Sequence, residues 1–169
     1  MSGADLDNLR EFELVALAAR GSLPAQQRMT LLCMAKEQCG LSHLEAYACA
    51  EPFARMAASH GKAEDLVLLA GLLRSRAIDI WRTGDEARAL RIMDELHSLF
   101  DNLALNFGSE GREMLTTLLT ALADQGDEEA AIRLNRLMEI VPVDEAAKLC
   151  ASVRSHVEEM VAMMGGGNA

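Results

Sequence analysis

Apolar residues recur at three- and four-residue intervals along almost the whole chain, and glycine cuts the runs at regular points. Gly21, Gly40, Gly61, Gly84, Gly108 and Gly126 stand 18 to 24 residues apart. That period is helical, and glycine is the usual residue just past a helix end because it takes a left-handed backbone at little cost. Pro142 adds one more break, since it has no N–H for a continuing helix. The pattern predicts eight helical segments near 7–20, 24–39, 43–60, 64–83, 86–105, 110–125, 128–140 and 145–163. The starts carry cap signals. Ser42 with Glu45 three residues on is a capping box. Asp85 and Glu86, Asp127 with Glu128 and Glu129, and Asp144 with Glu145 put carboxylates at the positive ends of helices. Pro24 fits a first turn, whereas Pro52 falls inside the third segment and is expected to kink it or split it near Ala50–Glu51.

Composition agrees with the period. The 169 residues include 27 Ala and 26 Leu against 17 Val, Ile and Thr together. Strong helix formers thus outnumber the residues that favour sheet, and an all-α protein is expected. Its length suits one ordinary domain over residues 1–164, with an N-terminal helix, a C-terminal capping helix and a flexible tail at 165–169. The charge count of 16 Lys and Arg against 26 Asp and Glu gives −10. So acidic a chain lacks the positive field that phosphate backbones require, and no nucleic-acid partner is expected. Phe12–Gly21 has the look of the first helix of a helix-turn-helix, but the helix after it is too apolar to lie in a major groove. No run of about 18 apolar residues occurs, so no membrane partner is expected either. The N-terminus lacks a basic start and an apolar core, and none of Cys33, Cys39, Cys49 and Cys150 forms a CxxC pair. A cytoplasmic protein with buried free thiols follows as the expectation, Cys49 included.

The segments also pair. Gly40, Gly84 and Gly126 are 44 and 42 residues apart, and after each comes a cap and then a small residue, Ala46, Ala89 and Ala131. Two blocks align directly, Thr83–Leu90 (TGDEARAL) with Gln125–Ile132 (QGDEEAAI). Leu118–Pro142 resembles a tetratricopeptide repeat in its Gly126-Asp127 turn, in Ala131 five residues after that glycine, and in Pro142 near the end of the second helix. Ala77–Leu99 resembles a second copy through Ala77, Gly84, Asp85 and Ala89. The repeats are longer than the usual 34 residues, and the aromatic positions of the first helix are mostly empty. The resemblance implies a right-handed superhelix of antiparallel hairpins, a degenerate α-solenoid, with Ala89 and Ala131 buried where paired helices cross. A compact helical bundle is the alternative architecture.

Chemistry is harder to find. There is no phosphate loop, no nucleophile elbow and no zinc-binding helix motif. Asp94 with His97, and His156 with Glu159, have the spacing of surface ion pairs, and no second matched motif completes a metal site. No enzyme activity, metal or cofactor is expected. The most informative surface is on the fourth helix. Arg74, Ile78, Trp81 and Arg82 share one helical face, and Trp81 is the only tryptophan. Trp and Arg combine large apolar area with planar hydrogen bonding and dominate binding hot spots. On the solenoid that the resemblance implies, these four point into a concave groove, and Thr116 and Thr120 are the matching positions one repeat later. The function expected is a non-catalytic protein-interaction module, an adaptor or chaperone-like protein that holds a peptide or helix of a partner. Its size and charge are similar to those of type III secretion chaperones that resemble tetratricopeptide proteins. Homo-oligomerisation stays open. Met160, Met163 and Met164 are a second candidate patch. The alternative function is a helical-bundle sensor or regulatory subunit with an apolar small-molecule pocket.

Overall fold

A computed structural model describes residues 6, 9–151 and 155, and among them the chain is helical throughout, with no strand. The helices are α1 (Glu11–Ala19), α2 (Leu23–Ala35), a 3-10 turn at Lys36–Cys39, α3 (His43–Ala58), α4 (Ala63–Arg82), α5 (Glu86–Asn106), α6 (Gly108–Asp124) and α7 (Glu128–Ile140). An eighth, α8, starts at residue 143 and continues through 151. The Met160–Met164 patch, the His156–Glu159 pair and the 165–169 tail lie outside the described residues.

All six punctuating glycines have positive φ, between 58° and 100°. The capping box forms as expected: Ser42 N donates to Glu45 Oε2 at 3.0 Å and Glu45 N donates to Ser42 Oγ at 3.3 Å. The backbone N–H groups of Ala130 and Arg88 donate to the Asp127 and Asp85 carboxylates, each at 3.2 Å. Of the kink or split expected at Pro52, the split does not occur, because α3 runs through it unbroken. Proline deprives the carbonyl four residues earlier of its donor. Pro52 and Ala48 are both exposed, so water can take the place of that donor.

Contacts divide the chain into two compact units, 1–100 and 101–169. In the first, close packing joins α1 to α2, α2 to α3 and α3 to α4 in sequence. The reason lies in α3, whose inner face is alanine at 46, 50, 54, 57 and 58, all buried. Small side chains at helical spacing let two neighbouring backbones approach closely. On α4 the buried stripe is Leu66, Leu69, Leu73, Ala77 and Ile80, each large aliphatic contributing about 1.5–3 kcal/mol. Polar side chains tie the elements further. Gln26 Nε2 donates to the Ala18 carbonyl at 3.0 Å, which leaves Gln26 Oε1 to accept from His60 Nε2 at 3.1 Å.

An ion-pair chain that the sequence does not reveal connects α3, α4 and α5. Buried Arg76 pairs with Glu51, Glu51 with Arg55 at 2.7 Å, and Arg55 with Glu95. Across the α4–α5 turn, Arg74 Nη1 lies 3.9 Å from Met93 Sδ. The two residues are nearly equidistant from Gly84, the register of an antiparallel pair.

In the second unit α6 packs on α7. Gly111 of α6 sits against the end of α5, and a Cβ there would lie 2.3 Å from Phe107 Cβ and 2.6 Å from the Leu103 carbonyl oxygen. Ala89 is buried as expected, but Ala130 rather than Ala131 is the fully buried alanine of α7. Ala89 and Ala131 both stand five residues after a turn glycine, so equal distance from that turn does not bring equal burial.

Candidate functional site

Three of the four candidates on α4, Arg74, Ile78 and Trp81, lie on the flank of that helix turned away from α3, and Arg82 lies between that flank and Asp79. Arg76 and Asp79 mark the α3 side, through Glu51 and His43 respectively. Residues 74, 78 and 81 follow one another at four- and three-residue steps on the other side. Arg74 is half-buried and touches Met93, and Ile78 is also half-buried. Trp81 is 50% exposed, which a core tryptophan of a helical hairpin would not be. Arg82 is largely exposed and sits 3.5 Å from Asp79 Oδ1.

Asp79 has a second partner: its Oδ2 lies 2.5 Å from His43 Nδ1. The His43 ring stacks on Tyr47, with centroids 4.0 Å apart and planes 27° from parallel. Burial pushes the Tyr47 phenol above its ordinary range, and the carboxylates of Glu37 and Asp79 add to the effect. The first turn of α3 is thereby pinned to the last turn of α4, and the Arg82–Trp81 end of α4 rests on a fixed base.

Thr116 and Thr120 are placed differently. Both are buried in the second unit. Thr116 Oγ1 donates to the Arg112 carbonyl at 2.7 Å and Thr120 Oγ1 to the Thr116 carbonyl at 2.8 Å. Hydroxyls bonded back to their own helix present no donor to a partner. A residue that sequence reasoning missed is Leu90, 54% exposed on α5. It stands three residues before Met93, on the flank of α5 that meets Arg74, and so shares that side of the hairpin with Trp81. The only sequence signal for it was its exposure-prone place in the first turns after the Asp85 cap.

The second unit holds a pocket of about 460 Å³ lined by Ser109, Glu113, Asp144, Glu145, Lys148 and Leu149. Arg112 forms two bonds to Glu145, Nε to Oε1 at 2.6 Å and Nη2 to Oε2 at 2.8 Å. That guanidinium holds the Glu145 carboxyl below the usual carboxylate range. Five of the six lining residues are polar or charged, unlike the apolar pocket of a small-molecule sensor. Among the described residues no group of three or more His, Cys, Asp or Glu is arranged to hold a metal ion, and no helix is long and apolar enough to cross a membrane. No family model, curated protein or solved structure matches this chain.

Proposed function

We propose that this protein is a non-catalytic interaction module, adaptor or chaperone-like, that holds a peptide or helix of a protein partner against the outer flank of α4. The observation that carries this reading is Trp81, half exposed beside an exposed guanidinium in a chain of net charge −10. An indole in that setting loses water-exposed apolar area when a partner covers it. Arg82 and Arg74 favour an acidic segment with apolar residues between its charges. The resemblance to tetratricopeptide repeats supports the same class, since helical hairpins of that kind present such surfaces.

The test is affinity capture from the source organism with the wild type, Trp81→Ala and Arg82→Glu, each checked first for an unchanged melting temperature. A partner recovered by the wild type and lost by both variants supports the proposal. Recovery of the same proteins by all three would remove Trp81 and Arg82 from the binding surface.

A further inference from the structure

The cysteines depart from the expectation of buried thiols. Cys33 is buried, 3% exposed, whereas Cys39, Cys49 and Cys150 are exposed. On α3 the alanine face is buried, and Cys49 projects from its edge, one residue before Ala50. Cys33 and Cys49 stand eight residues before and eight after Leu41, in the turn between α2 and α3. In an antiparallel pair that symmetry sets them at the same level. The pair concerned is one where the alanines of α3 allow close approach. Lys36, one turn beyond Cys33, completes the cluster, held at 2.5 Å by Glu11 of α1. Its ammonium and the Cys49 thiol both act electrostatically on Cys33.

We propose that Cys33 and Cys49 are a thiol pair that a hydroperoxide oxidises to a disulfide joining α2 to α3. Exposed Cys49 meets the oxidant first. Its thiolate attacks the peroxide, the O–O bond breaks, and Cys49 becomes a sulfenic acid as the other oxygen leaves as hydroxide or alkoxide. The sulfur of Cys33 then attacks the Cys49 sulfur, forming the S–S bond and releasing water. Two thiols lose two electrons and two protons, and hydrogen peroxide is reduced to two waters. Burial pushes the Cys33 thiol up, which slows the second step, while the nearby Lys36 ammonium favours its thiolate. Cys33 is shielded from bulk oxidant, so it acts as the resolving thiol rather than the sensing one.

The full chain is treated with a few equivalents of hydrogen peroxide, alkylated, digested without reduction and analysed by mass spectrometry. Trypsin places Cys33 in 29–36 and both Cys39 and Cys49 in 37–55, so fragmentation and the Cys39→Ser variant separate the two possible links. The expected result is a Cys33–Cys49 bridge in the wild type and in Cys39→Ser, and its loss in Cys49→Ser. In Cys33→Ala, dimedone should trap a sulfenic acid on Cys49. A Cys33–Cys39 link, bridges only between molecules, or four thiols oxidised singly with no bridge would overturn the proposal.

Discussion

Two glycines inside helices are expected to respond oppositely to the same substitution. Alanine in a helix interior is favoured over glycine by about 1 kcal/mol, because the unfolded chain has less freedom to lose. At Gly71, in the middle of α4, an added Cβ meets nothing within 4 Å, so Gly71→Ala should keep that full gain. At Gly111 the added Cβ would be 2.3 Å from Phe107 Cβ and 2.6 Å from the Leu103 oxygen. Carbon atoms pack best at about 3.5–4.0 Å. One obstacle is backbone and the other is fixed to it, so neither gives way as a side-chain tip would. Overpacking of this kind costs about 1–3 kcal/mol, and the upper end applies. After the helical gain is subtracted, Gly111→Ala should lose about 2 kcal/mol. A chain of this length shifts its melting temperature by about 2–4 °C per kcal/mol. Thermal melts followed by circular dichroism at 222 nm should rise by about 2–4 °C for Gly71→Ala and fall by about 4–8 °C for Gly111→Ala. Equal shifts of one sign would refute the close approach at Gly111.

Other expectations test the packing and the ion pairs. Glu51→Ala leaves Arg76 buried without its counter-charge and should cost about 3 kcal/mol, most of which Glu51→Leu with Arg76→Met should restore; chemical denaturation measures both. Arg55, by hydrogen bonding, holds the Glu95 carboxyl below its usual range. The folded state therefore binds this proton less readily than the unfolded one, whose value is about 4.3. The stabilisation is complete above that value and fades as pH falls through the lower folded one, and Glu95→Gln should flatten the acid limb of a melting-temperature profile. Ala130→Leu should lower the melting temperature by more than Ala131→Leu, and the reverse order would restore the original repeat alignment.

The helices were legible because their ends are written locally. Each glycine turn and the Ser42–Glu45 box depend on a few adjacent residues, and the structure has them in place. What depended on rotation about a helix axis was read less well. Ala130 and Ala131 differ by one residue, about 100° of rotation, and only the neighbouring helix decides which is covered. Thr116 and Thr120 look like surface residues by type, but their hydroxyls can bond to their own helix, which makes burial tolerable. Cys49 looked like a core thiol within an alanine-rich stretch, yet alanine marks the buried face and Cys49 lies beside it. The chain from Arg76 to Glu95 joins residues up to 44 apart in sequence, and no local pattern announces it. Trp81 was legible as a candidate because it is unique, whereas its exposure needed the structure.

Because Trp81 is the only tryptophan, intrinsic fluorescence reports on it alone. Acrylamide quenching of that emission, in the free protein and in the presence of the captured partner, tests the proposed surface most directly. A solvent-facing Trp81 should emit to the red and be quenched readily when free, then shift to the blue and become protected when the partner covers it. Truncating such an anchor typically costs about 2 kcal/mol of binding, roughly thirtyfold in affinity. A blue, poorly quenched emission in the free protein, unchanged by the partner, would make Trp81 a core residue and contradict the proposed surface.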